Sequence, residues 1–236
     1  MAAKTVAVVQ SCYIPWKGYF DLIGSVDEFI LYDDRQFTRR DWRNRNRIKT
    51  ASGVQWLTIP VNVKGKYHQR IDETTFADLD WAERHWKTLV HLYAAAPSFG
   101  EYASAAEDLY RRAAAESHLS KVNRCFIEGV CELLGIETML SWATDYDVEG
   151  ERSERLSALC QAAGASRYLS GPRARSYLDE RVFSEQGIEV AYADYEGYPE
   201  YTQLHPPFEH GVSILDLVFH VGGQAPSYMK SFARVA

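Results

Sequence analysis

A short apolar run, Thr5 to Val9, leads into a tight segment, Gln10 to Gly18, and then a helical pattern, Tyr19 to Gly24. A second apolar run, Glu28 to Tyr32, follows. Val-rich runs of this length read as buried strands. A strand, a helix and a strand in such close succession form the opening unit of an open parallel sheet. This order constrains the fold more than any other feature of the chain.

The rest of the sequence fits the same plan. Trp56 to Val61 (WLTIPV) reads as a strand after the basic stretch Arg35 to Lys49. Asp78 to Tyr93 reads as a helix that Asp78 or Asp80 can cap, with Trp86, Leu89, Val90 and Tyr93 along one face. Helices are expected near Tyr102 to Glu116 and Leu119 to Leu134, with Gly135 as the stop of the latter. Glu137 to Trp142, Arg167 to Ser170 and Ile188 to Ala193 read as strands. Ser153 to Ala163, Arg173 to Asp179 and Val212 to Val221 read as helical. The expected fold is therefore α/β: a Rossmann-like, open, mostly parallel sheet with a helical insertion near residues 78–134. A single domain over residues 1–236 is expected; the strand order is not legible.

Composition narrows the class. Of 236 residues, 46% are hydrophobic and 25% charged, which is globular and not disordered. A net charge of -6 argues against nucleic-acid binding by the surface as a whole, although a local basic patch exists. Fifteen Tyr and six Trp suit a polar-ligand pocket and equally an ordinary core. Cys12, Cys125, Cys131 and Cys160 form no CxxC pair, so free thiols in a reducing compartment are expected. The opening MAAKTVAVVQ is too short an apolar run for a signal peptide, and no segment reaches the roughly 20 apolar residues that span a bilayer. A cytoplasmic protein without membrane association follows as the expectation.

Five constellations are candidates for chemistry. The first is the turn Gln10 to Tyr19, at the carboxyl end of the first strand, where open α/β sheets bind ligands. Gln10, Tyr13, Trp16 and Tyr19 are placed to bond or stack on a ligand, and the same residues suit a packed structural turn. Cys12, at a helix N-terminus, is a nucleophile candidate or a small semi-buried residue. The second is Asp33 to Lys49, in which Arg43, Arg45, Arg47 and Lys49 recur at period two. An extended backbone would project them from one face, as an anion site or as a solvated hairpin. Gln36, Arg39 and Asn44 belong to this stretch, and Asp33 ends the second strand.

The third is the pair His85 and His91, whose spacing of six sets them on different helix faces and rules out a two-histidine metal pair. One of them is a candidate acid or base. The fourth is Tyr168 to Tyr177, where Ser170, Gly171 and Tyr177 follow a short strand. The fifth holds Tyr201 and Gln203 before the last helix, as a lid or as plain packing. No metal site is expected, since no His/Cys spacing supports zinc.

Together, QSCYIPWKGYFDLI, DDRQFTRRDWRNRNRIK with WLTIPV, and YLSGPRARSYL with YTQL and SILDLVFHVGG resemble the WbqC-like family over nearly the whole chain. The family commonly has Pro or Ser after the Gln, and often Asn where Cys12 stands, a departure that weakens the nucleophile reading. Its members occur in gene clusters for O-antigen and other sugars or natural products, and a glycine-transferase role has been suggested for one branch. The resemblance therefore implies an acyl- or aminoacyl-transferase acting on an amine of a small-molecule acceptor. A looser likeness links Tyr13-x-Pro15-Trp16-x-Gly18-Tyr19 to the strand-to-helix turn of HUP-type nucleotidyltransferases and ligases, where a Gly-His pair sits; here Tyr19 replaces the His.

The leading expectation has no evident cofactor and uses an activated donor, a thioester on a carrier protein or an aminoacyl-tRNA. His85, Asp33, Gln10 and Tyr13 are the candidate catalytic residues. Trp16, Tyr19, Gln36, Arg39, Asn44, Arg45, Arg47, Lys49, His91, Ser170, Gly171, Tyr177, Tyr201 and Gln203 are the candidate substrate contacts. The alternatives are a HUP-type nucleotide-dependent enzyme and a non-catalytic module that binds RNA or a carrier protein.

Overall fold

The computed structural model describes residues 3–232. Five parallel strands, β1 (Thr5–Val9), β2 (Glu28–Leu31), β5 (Met139–Trp142), β6 (Arg167–Ser170) and β7 (Glu189–Tyr192), form one sheet in the order β5-β2-β1-β6-β7. β3 (Arg45–Thr50) and β4 (Gly53–Thr58) pair as a separate antiparallel hairpin. Counted among the parallel strands alone, the order is 3-2-1-4-5, the doubly wound order 3-2-1-4-5-6 without its sixth strand. The direction of winding reverses between β1 and β6.

Strand alternation sorts the core. Val6, Val8 and Ile30 face one apolar cluster, with Leu159, Cys160 and Phe183. Ala7, Phe29 and Leu31 face the other, which contains most of the buried aromatics. The first cluster lies under α5 (Arg152–Ala162) and α6 (Arg181–Ser184). The second lies under α1 (Lys17–Ile23), α2 (Trp81–Tyr93), α3 (Phe99–Ala114), α4 (Leu119–Leu134) and α7 (Ile214–Val221). Period-two burial on both faces is what a central parallel sheet requires.

The expected helical insertion is present as α2 to α4. The whole span between β2 and its neighbour β5 also carries the β3–β4 hairpin. Gly135 stops α4 as expected, in the left-handed conformation at φ 71°, its N–H bonded to the carbonyls of Cys131 and Glu132. The cap of α2 differs from expectation. Neither Asp78 nor Asp80 caps it through its side chain: Asp78 pairs with Arg84 and accepts from the Asp80 N–H at 2.9 Å. The buried stripe of α2 is Trp81, Ala82, His85, Leu89 and Tyr93, so Val90 turns outward. Positions 81, 85, 89 and 93 repeat at i, i+4, whereas 90 lies a full 100° past 89.

All four cysteines are free thiols. Among the described residues, no helix is long and apolar enough to cross a membrane.

Candidate functional site

The β1–β2 ladder runs from Val6↔Glu28 to Val9↔Leu31, whereas β1 and β6 pair only at Thr5↔Arg167 and Val6↔Tyr168. Past that point the two strands part. In open α/β sheets, such a parting at the winding reversal is where ligands bind. A cleft of about 1200 Å³ opens here, walled by Val8, Val9 and Gln10 on one side and Tyr168, Ser170 and Gly171 on the other.

The turn after β1 is fixed from several directions. The Ser11 N–H donates to Asp33 Oδ1 at 2.7 Å, and the Tyr13 N–H donates to the Trp42 carbonyl at 3.1 Å. The Asn46 side chain donates to the carbonyls of Tyr13 and Ile14, both at 3.0 Å. The Ile214 N–H, at the start of α7, donates to the Pro15 carbonyl at 2.8 Å. Ile14 is held at φ 35°, a strained region for a β-branched residue, and this network keeps it there. Gly18 is required below the turn. A Cβ there would sit 2.3 Å from the indole of Trp16, whose ring forms part of the cleft wall.

The cleft is electropositive. Arg35, Arg43, Arg47, Arg152 and Arg173 line it, against one carboxylate, Glu151. Arg35 is matched by Asp34 at 3.3 Å. Arg47 donates to the Gly211 carbonyl at 2.7 Å and lies 3.5 Å from Glu209. Arg43 is different. Its side chain is 11% exposed, its nearest carboxylate is Asp41 at 3.7 Å, and its Nε is buried with no hydrogen-bond partner among the described residues. A buried guanidinium so poorly matched costs stability unless an anion completes it. Aromatic rings share the cleft with it: Trp16, Tyr19, Tyr32, Trp42 and Tyr195 also line it, with Trp16 edge-on to Tyr195 at 5.2 Å.

Of the residues expected from sequence, Gln10, Trp16, Tyr19, Gln36, Arg47, Ser170, Gly171 and Tyr177 meet in this cleft. The others lie elsewhere. Asp33 is buried beneath the turn, between the Ser11 N–H and the Ser120 hydroxyl. Tyr13 and His85 are sealed in the core. The Tyr13 hydroxyl is 2.8 Å from His85 Nδ1 and 2.7 Å from the Tyr110 hydroxyl, and His85 Nε2 is 3.1 Å from the Thr58 carbonyl. Burial, with Arg84 adding to it against the Thr58 bond, lowers the His85 pKa to about 4, so the ring is neutral near pH 7.

On β3, Arg45 and Arg47 share a face, but only Arg47 reaches the cleft. Arg45 lies 3.9 Å over the ring of Trp56. The Lys49 side chain is buried and donates to the Pro207 carbonyl. Asn44 holds the Ile59 carbonyl at 2.8 Å, and Arg39 the Val63 carbonyl at 2.7 Å. His91 is exposed on α2, beside the hairpin tip. Tyr201 and Gln203 are committed to buried Asp216, at 2.6 and 2.9 Å.

Asn46, Trp42 and Tyr195 were not singled out as ligand contacts from sequence, whereas Arg43 was read there as part of a basic anion-site series. Cys12 lines the cleft, but burial, opposed by Arg43, pushes its thiol up to about 11. A thiol so rarely ionised is a poor nucleophile. Among the described residues, no group of three His, Cys, Asp or Glu is placed to hold a metal.

The sheet and cleft together define an open parallel α/β protein with an arginine-lined crevice at its winding reversal. The chain belongs to the WbqC-like protein family, whose model matches residues 10–228. It is 54% identical over 229 residues to uncharacterized protein Rv1507c of Mycobacterium tuberculosis (strain ATCC 25618 / H37Rv), covering 96% of this chain and 98% of the relative. No solved structure gives a significant match.

Proposed function

We propose that the protein is a cytoplasmic acyl- or aminoacyl-transferase that joins an activated, anionic donor to the amine of a small-molecule acceptor in the β1–β6 cleft. The observation that carries this reading is the under-matched Arg43 guanidinium, buried in an aromatic cleft among four other arginines. Such a site suits a phosphate- or carboxylate-bearing ligand with ring systems. The glycine-transferase role suggested for one branch of the family supports reading the reaction as acyl transfer.

The geometry alters the expected division of labour. Asp33, His85 and Tyr13 hold the turn and the core and lie outside the cleft lining. The N–H groups of Ser11 and Tyr13 are already given to Asp33 and Trp42. Arg43 is therefore assigned the oxyanion of the tetrahedral intermediate. Glu151, the cleft's own carboxylate, is assigned the acceptor ammonium.

The test pairs binding with turnover. Calorimetry with pyrophosphate as an anion probe should show binding that Arg43→Ala weakens by about tenfold to a hundredfold, the worth of one charge-assisted hydrogen bond. Mass spectrometry of amino-sugar acceptors with thioester and aminoacyl-tRNA donors should show an added acyl mass. No product from any donor, with anion binding indifferent to Arg43, defeats the proposal.

The strand order favours one second reading, a HUP-type nucleotide-dependent ligase or nucleotidyltransferase, because sheets of order 3-2-1-4-5 bind nucleotides at this crevice. Release of pyrophosphate from ATP or CTP would select it over acyl transfer.

A further inference from the structure

The charge of this chain is unevenly distributed. Its net charge is -6, yet residues 35–70 contain ten Lys and Arg and one acidic residue, Asp41. The fold draws that segment into one body beside the cleft mouth. The Phe37 N–H donates to the Gln69 carbonyl and the Ile71 N–H to the Arg35 carbonyl, both at 2.9 Å, and Arg39 ties down the Val63 carbonyl. Arg70 is neutralised by Asp72 and Glu73. Arg39, Arg40, Lys64 and Lys66 are exposed.

Aromatic rings are interleaved with these cations. Tyr67 is 75% exposed, Trp56 41% and Trp42 37%, with the two indoles 5.0 Å apart. The face continues into the cleft: Trp42 and Arg47 belong to both, and Gln36, on the cleft wall, donates to the Tyr67 carbonyl at 2.8 Å. A backbone of regularly spaced negative charges bearing planar groups complements this surface. A duplex keeps its bases stacked internally, so exposed Tyr and Trp select an unpaired strand.

We infer that this basic, aromatic face holds a single-stranded polynucleotide whose terminal ribose delivers the acyl group into the cleft. The inference rests on the transferase reading and names its donor. The acceptor ammonium first gives one proton to Glu151; the freed amine attacks the ester carbonyl, the C–N bond forms, and the C–O bond to the ribose breaks. The ribose oxygen leaves as a hydroxyl, carrying the proton the amine gives up.

Fluorescence anisotropy of the full chain with a labelled single-stranded RNA of about 12 nucleotides, within the span of known single-strand sites, tests it. Binding should weaken with salt, log K falling by about 0.7 per phosphate contacted for each unit of log[salt]. Lys64→Glu with Lys66→Glu should weaken it at least about tenfold, and Tyr67→Ala by a similar factor. These exposed positions lie outside the cleft, so pyrophosphate binding should stay unchanged. Absent RNA binding, binding indifferent to these variants, preference for the duplex, or binding of anionic lipid vesicles instead would overturn the inference. If RNA fails while Arg43-dependent pyrophosphate binding persists, the inference falls and the cleft reading stands. If Arg43-dependent pyrophosphate binding also fails and no donor yields product, both fall.

Discussion

Asp33 Oδ1 accepts a hydrogen bond from the Ser11 N–H at 2.7 Å, joining the residue just past β2 to the turn just past β1. Both residues are buried, and the second carboxylate oxygen accepts from Ser120 on α4. Asp33→Ala leaves two buried donors without an acceptor. Urea unfolding should show a loss of about 2–4 kcal/mol. Asp33→Asn should cost less, since its amide oxygen still serves Ser11.

His85 makes stability depend on pH. Burial lowers its folded pKa to about 4, below the ordinary value near 6.5. The unfolded chain therefore binds the proton more readily, and stability is lost as pH falls from about 6.5 to about 4. The loss reaches about 3 kcal/mol. His85→Gln should flatten that part of the stability–pH curve. Glu28 acts lower: burial raises its pKa, but bonds from Lys4, Ser141 and Tyr146 outweigh burial, so its contribution is lost only below about 4.5.

Arg43→Met should separate stability from binding. Removing a buried, poorly matched charge relieves its desolvation cost, so the melting temperature without ligand should rise by about 2–4 °C. Pyrophosphate should stabilise the parent protein more than the variant at the same concentration. A fall in melting temperature without ligand would show that Arg43 is structurally required.

Cys12 should behave as a cleft-wall residue. With its thiol near 11, alkylation by iodoacetamide should accelerate about tenfold per pH unit from pH 8 towards pH 11. Peptide mass spectrometry reads this position separately from the other three thiols. Cys12→Ala should retain turnover in the transfer assay. Its abolition would return Cys12 to the chemistry.

Much of the fold was legible because local patterns and tertiary demands agree. The strand Arg167 to Ser170 and the helix Leu119 to Leu134 match the observed elements. The candidate site was legible where chain position decides access: residues at the ends of β1 and β6 face the crevice because strand ends must. It was not legible for His85 and Asp33. A titratable side chain looks the same in sequence whether it meets a ligand or satisfies a buried neighbour. On β3, period two placed Arg45 and Arg47 on one face, but Trp56 holds the first and Pro207 covers Lys49.

The sequence by itself determined the β-α-β opening, the alternation that buries both sheet faces, and the basic stretch, since each depends on neighbours a few residues apart. Only the tertiary structure decided the strand order, the parting of β1 from β6, and the meeting of Arg43 with the turn after β1. Those depend on residues far apart in the chain, and no local preference encodes which distant groups share a crevice.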